Sequence, residues 1–206
     1  MPVKTYISPD QTKQFVFFYK FDCVFSNFYP CEFSAQEFEN DVEKNVNFNC
    51  SEQYFMYHKA LLVGDSEIAG KILKETDPRK MKRLGRQLSM SKKQLEEWSQ
   101  NSKEVMYNGC LEKFSQNNVC RENLFRTHGM RLVEASPMDR IWGIGLSHHD
   151  KRCENEQTWR GTNWMGSVLD KVREELWTKS EYQQLRLEIE KEIVETRCKQ
   201  LESFSH

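Results

Sequence analysis

Hydrophobic and polar positions divide the chain into stretches of different period. Residues 15–33 (FVFFYKFDCVFSNFYPCEF) are dense in Phe and Tyr and break at Asn27 and Pro30, which predicts short strands around a turn. Residues 34–47 are rich in acids with a single lysine and read as a solvent-exposed loop or insertion. From Ser51 the period becomes helical. Ser51 is a candidate N-cap, and Tyr54, Phe55, Tyr57, His58 and Leu61 spread a broad apolar face as far as Gly64. Asp65-Ser66 caps a short helix ending near Thr76, and Asp77-Pro78 starts another with proline at its first position. Ser91 with Gln94 forms a capping-box pattern ahead of a long helix containing Leu95, Trp98, Val105, Met106 and Leu111. A further helix is predicted from about Val119 to Thr127, stopped at Gly129. Residues 130–146 read as two short β pieces around Ser136-Pro137. The last long helix begins near Trp164, with Val168, Leu169, Val172 and Leu176 at helical spacing. Beyond Trp177 the apolar pattern thins but continues through Leu185, Ile189, Ile193 and Leu201 among charges of both signs, as on a surface helix or one that docks on a protein partner. The sum is an α+β class: one predominantly helical domain with a few short strands, with a soft boundary near residue 178.

Composition narrows the class. A chain of 206 residues can bury a sizeable single core. With 38% hydrophobic and 30% charged residues and no 18-residue apolar run, it is neither a disordered tail nor a membrane-spanning chain, and no membrane partner is expected. The opening MPVKTYISPD lacks the apolar core of a secretory signal. The seven cysteines are odd in number and contain no C-x-x-C pair, which favours free thiols in a reducing compartment, cytoplasmic or nuclear. His148, His149 and Cys153 read as a polar loop rather than a metal site, and no metal or cofactor is expected. Net charge is −1, so a nucleic acid would have to be met by a local patch. Residues 71–93 supply one candidate, with nine Lys or Arg against Glu75 and Asp77. Such a run can steer a phosphorylated substrate, or can simply be a solvated helix face.

Three stretches carry candidate chemistry. In SEQYFMYHKA, Glu52 and Lys59 are two helical turns apart and fall within roughly 20° of each other around the axis. That pair can act as acid/base and nucleophile beside Tyr54, Phe55 and Tyr57, although ordinary amphipathic helices bound their apolar stripe in the same way. Asp139-Arg140-Ile141-Trp142-Gly143-Ile144-Gly145 places an indole before two alternating glycines, suited to a flat ligand or to a bulged strand. Residues 159–166 (WRGTNWMG) form a polar turn feeding a helix start, suited to a phosphate or to ordinary capping. No G-x-G-x-x-G, P-loop, kinase set or Ser-His-Asp order occurs. The residues alone reach an intracellular α+β domain that handles a nucleotide.

In order, these pieces resemble the NADAR (YbiA-like) family. The resemblance rests on Phe25-Ser26-Asn27-Phe28; Ser51-Glu52-Gln53-Tyr54-Phe55 with Lys59; Gly85-Arg86; Trp98; Lys113-Phe114 with Gln116; Leu132-Val133-Glu134; Asp139 with Trp142-Gly143-Ile144-Gly145; and Gly161, Asn163, Gly166, Leu169 and Arg173. It spans residues 15–178 as a catalytic domain and leaves 179–206 as a C-terminal helical extension that inherits nothing. Some members have an acid where Ile144 stands, so no catalytic role is carried over to that position.

The resemblance implies an N-glycosidase acting where ribose hangs on an exocyclic amine. The substrate is ADP-ribose on guanine in nucleic acid, or alternatively a phosphoribosylamino-pyrimidine intermediate of riboflavin synthesis. A further alternative is a non-catalytic module that binds ADP-ribose or NAD. In the enzyme reading Lys59 forms a Schiff base, with its pKa depressed by burial among Tyr54, Phe55 and Tyr57; Glu52 shuttles protons; and Asp139 holds or assists the ribose. Direct water attack activated by Glu52 or Asp139 is the competing route. Trp98 and Trp142 are candidate walls against a base, with Gly143 admitting it closely, while Asn27, Arg86 and Asn163 are candidate ribose or phosphate contacts.

Overall fold

The computed structural model describes residues 3–8, 10–39 and 42–203. Strand β2 (Gln14–Phe18) lies between β1 (Val3–Ile7), antiparallel to it, and β5 (Arg131–Glu134), parallel to it with Phe15 opposite Arg131 and Phe18 opposite Glu134. The near-continuous apolar run of β2 reflects burial on both faces. Phe15 and Phe17 pack with Val133, Ala135, Ile144, Leu146 and Cys153, whereas Val16 and Phe18 enter the main core.

Everything between β2 and β5 forms one long crossover. A second antiparallel pair, β3 (Phe33–Glu39) and β4 (Val42–Phe48), precedes α1 (Ser51–Val63), α2 (Ser66–Lys74), α3 (Pro78–Gln87), α4 (Lys92–Gln116) and α5 (Asn118–Phe125). After β5 come α6 (Trp164–Thr178) and α7 (Gln183–Ser203). This is the α+β, mainly helical fold expected from the pattern. Among the described residues no helix is long and apolar enough to cross a membrane.

Helix α1 is the hub and packs against α2, α3 and α4. It is buried from Ser51 through Tyr57, polar residues included. Gln53 shows how that burial is satisfied: its amide nitrogen donates to the carbonyls of Ile72, Leu73 and Glu75 at the end of α2, and its oxygen accepts from Asn49 N–H. Gly64, at φ +81°, closes α1 in the left-handed conformation that glycine adopts at little cost. The local stop and start signals hold for α2, capped by Asp65; for α3, capped by Asp77 with Pro78 in its first turn; and for α4, whose Ser91–Gln94 capping box is complete.

Four local expectations are corrected. Residues 34–47 are not a loop but most of the β3–β4 hairpin: Phe33, Ala35, Val46 and Phe48 point inward at the alternate spacing of a strand, and Glu37 is buried against His58. The strands around Asn27 are fewer than expected, since the chain from Tyr19 to Glu32 runs as consecutive turns between β2 and β3. Cys50, not Ser51, occupies the cap position of α1, and the first-turn amide of Glu52 donates instead to the carbonyl of Asn27 at 2.9 Å. Only one β piece forms in 130–146. Beyond Pro137 the chain folds into a loop that bonds Ile144 N–H to Glu134 O and Arg160 N–H to Ile144 O.

Candidate active site

Side chains from α1, α3, α4, the Tyr19–Phe28 turns and the loop after β5 converge on a cavity of about 890 Å³. Glu52 and Lys59 both line it, because two turns of α1 return them to the same face, and Asn27, Arg86, Trp98, Asp139 and Trp142 join them. Seven of the nine residues singled out from the sequence therefore share one space.

The two others do not. Asn163 is fully buried in the left-handed conformation (φ 52°), and its amide is spent on β5: the oxygen accepts from Glu134 N–H and the nitrogen donates to Leu132 O, each at 3.0 Å. It anchors the start of α6 and thereby positions Glu134. Gly143 lies behind the cavity wall, where an added Cβ would meet Ser136 Cβ at 2.9 Å and Glu134 O at 3.0 Å. Of the aromatics expected around Lys59, only Phe55 lines the cavity; Tyr54 and Tyr57 turn to Phe48 of the hairpin, with ring centroids 5.0 and 5.5 Å away. The aromatic wall runs instead through Trp98, Phe55, Trp142 and Trp164, with successive centroids 4.8, 5.3 and 5.7 Å apart.

Glu52 is 1% exposed. Its Oε2 accepts from Asn27 Nδ2 at 2.5 Å, while its buried Oε1 has no hydrogen-bond partner among the described residues. Burial pushes its pKa up to about 7 and nearby Asp139 adds to the rise, against the opposing pull of Lys82 and Arg86. Lys59 donates to Gly85 O at 2.9 Å, and burial, then the charge of Arg86, lowers its pKa. Asp139 accepts from the amides of Ile141 and Trp142 at 2.9 and 2.8 Å, an Asx-type turn that orders the loop carrying Trp142.

One further acid was not among the candidates. Glu134, the last residue of β5, lines the same cavity, and burial raises its pKa to about 8 with help from Asp139 and Glu52. The sequence named it only within Leu132-Val133-Glu134; its place at the carboxyl end of a parallel strand, where ligands in such sheets gather, comes from the fold. The cavity thus holds three carboxyl groups that feel one another, a lysine of lowered pKa, and the cations Arg79, Lys82 and Arg86. Two acids pushed toward neutrality beside an amine eased toward its free base suit proton transfer to and from a bound ligand.

Comparison with known proteins gives this arrangement a family. The NADAR domain profile matches residues 17–177. The chain belongs to the NADAR domain family. Among curated relatives, Protein irg-1 of Caenorhabditis elegans is 64% identical over the whole of both chains. N-glycosidase R617 of Acanthamoeba polyphaga mimivirus is 38% identical over 74% of this chain and 86% of its own. The solution NMR structure of Escherichia coli YbiA superposes with a TM-score of 0.60 at 25% identity, covering 79% of this chain and 84% of that one. The NADAR profile ends one residue before the last residue of α6 and does not include α7.

Proposed function

We propose that this protein is an N-glycosidase that hydrolyses a bond between ribose and an exocyclic amine, with ADP-ribosylated guanine in DNA or RNA as its substrate. The carrying observation is Glu52: a fully buried carboxyl group with one oxygen that has no partner among the described residues, sharing its cavity with Lys59, Glu134 and Asp139. A binding module has no need to bury an acid and leave it unsatisfied. Relatives named as N-glycosidases support the bond class, and Arg79, Lys82 and Arg86 at the cavity suit phosphates.

The chemistry proceeds through an open sugar. A protonated carboxyl, Glu52 or Glu134, gives its proton to the ribose ring oxygen as the C1–O bond breaks, leaving an iminium between C1 and the exocyclic nitrogen of the base. Free-base Lys59 adds to C1, a proton passes to the base nitrogen, and the C1–N bond to the base breaks. The Schiff base left on Lys59 is hydrolysed by water, which the same carboxylates deprotonate, and the released ribose recloses. The lowered pKa of Lys59 and the raised pKa values of both glutamates favour the protonation states this sequence begins from.

The test is mass spectrometry of the protein incubated with a guanine-ADP-ribosylated oligonucleotide and quenched with borohydride. Loss of the modification together with a reduced adduct on Lys59 is the expected result, and Lys59→Ala and Lys59→Arg should abolish both. Near-normal turnover in either variant eliminates the Schiff base and leaves direct attack by water. No loss from the oligonucleotide, with release of base from a phosphoribosylamino-pyrimidine, moves the substrate to the small-molecule class.

A further inference from the structure

Away from the cavity, at the end of the Tyr19–Glu32 turns, Cys31 and Cys120 meet. Their sulfurs are 3.5 Å apart and share a hydrogen bond, although the residues are far apart in sequence, one just before β3 and the other in the first turn of α5. Both line a surface groove of about 500 Å³ together with Tyr29, Asn117 and Val119, Cys31 partly exposed in it and Cys120 buried beneath, 2% exposed. None of the other described cysteines lines this groove. Cys50 and Cys110 are buried, one near Met81 Sδ and the other near Ser51 Oγ, and burial pushes both thiols up to about 11. Cys23 and Cys153 are also buried and raised.

A second observation bears on the pair. Lys113 of α4 is 1% exposed, and its ammonium donates to Val24 O and Ser26 O at 2.9 Å. No carboxylate forms an ion pair with it among the described residues; its other neighbours are the rings of Tyr29 and Phe114, 5.3 and 5.2 Å away. A buried cation without an acid is costly unless an anion lies near. Its charge favours the thiolate form at Cys31 and Cys120, as it does at Cys23, Cys50 and Cys110. The hydrogen bond shared by the two sulfurs lowers the pKa of Cys120, against the effect of burial, and raises that of Cys31, with burial adding to the rise.

We infer that Cys31 and Cys120 form a peroxide-sensitive dithiol that closes to an intramolecular disulfide. The Cys120 thiolate attacks one oxygen of hydrogen peroxide. The O–O bond breaks, and the departing hydroxide takes a proton from solvent and leaves as water, so that Cys120 becomes a sulfenic acid. The Cys31 sulfur then attacks the Cys120 sulfur. The S–O bond breaks, the hydroxide leaves as water with the Cys31 proton, and the two electrons taken from the thiols have reduced the peroxide. The sulfurs have to close from 3.5 Å to about 2 Å. The bridge ties the end of the segment that carries Asn27 to the start of α5.

The experiment treats the full-length protein with hydrogen peroxide at neutral pH, blocks remaining thiols with iodoacetamide, and maps peptides by mass spectrometry. The expected result is joint loss of Cys31 and Cys120 from the alkylated pool into one linked peptide pair that dithiothreitol restores, with Cys50 and Cys110 still thiols. In Cys31→Ser, dimedone should trap a sulfenic acid on Cys120. In Cys120→Ser, no bridge should form and Cys31 should stay reduced. Both thiols still alkylated after peroxide has consumed added glutathione, or a bridge to any other cysteine, overturns the proposal on the unmutated protein alone. A dimedone adduct on Cys31 in Cys120→Ser overturns the assignment of Cys120 as the attacking sulfur.

Discussion

Glu52 concentrates the conflict between stability and chemistry at this site. Its carboxyl is neutral in both folded and unfolded chains below about pH 4.5, so the fold incurs no penalty there. As pH rises, the unfolded chain releases the proton first. The folded state binds more protons over this window, so stability falls until the folded group also ionises near pH 7. Glu52→Gln should therefore raise the unfolding free energy relative to the parent at pH 8 by on the order of 1–3 kcal/mol, read as a higher melting temperature, with the gain shrinking toward zero near pH 4. The same change should reduce kcat by about 10²–10⁴-fold, the usual cost of a lost acid/base. Turnover that requires a protonated glutamate should fall as pH rises through about 7 to 8, where Glu52 and then Glu134 ionise. A flat profile across that range, measured as kcat against pH, removes both from the proton-donor role. At this scale the Glu52–Lys59 pair was legible because seven residues make two helical turns. Glu134 was not, since one acid closing a four-residue strand leaves no periodic trace.

Between elements, the β5–α6 junction decides where the acids sit. Asn163 holds the backbone of Leu132 and Glu134, and Gly166 lets α6 approach so closely that an added Cβ would lie 2.0 Å from Leu132 O. Asn163→Asp keeps the acceptor for Glu134 N–H but turns a carboxylate oxygen toward Leu132 O. We expect a loss of about 1–3 kcal/mol in thermal or urea unfolding. If Asn163 positions rather than binds, KM should stay near the parent value while stability falls; a large rise in KM at unchanged stability would make it a ligand contact. The caps of α2, α3 and α4 were readable because each is made by residues two or three apart. The hairpin was hidden because its acids masked a strand alternation whose inward residues find their partners on α1, at Tyr54 and Tyr57. The cap of α1 was misplaced because the group that satisfies Glu52 N–H, the carbonyl of Asn27, lies in a different segment.

For the molecule as a whole, α7 is more than an appendage. Ile189 is 1% exposed within the main core, Leu185 and Ile193 pack beside it, and Arg126 pairs with Glu192. Ile189→Ala should cost about 2–4 kcal/mol, whereas Leu187→Ala, at a position 47% exposed, should leave the melting transition nearly unchanged. Equal effects of the two would mean that α7 does not rest on the domain in solution. The thinned apolar pattern beyond Trp177 had suggested a surface helix or one waiting for a partner, and the row Leu185, Ile189, Ile193 is the part of it that the domain itself covers.

Local order was within reach of the sequence by itself. Helical periods, caps and the α+β class follow from neighbours a few residues apart, and the ordered motifs point to the NADAR family. Convergence was decided only by the tertiary fold. It brought Asn27 onto Glu52, set Glu134 beside Asp139, withdrew Asn163 and Gly143 behind the cavity wall, and put Cys31 against Cys120. The physical reason is that desolvation and charge depend on what surrounds a group in space. The raised acids, the eased lysine and the shared thiol proton exist only once distant segments have excluded water together.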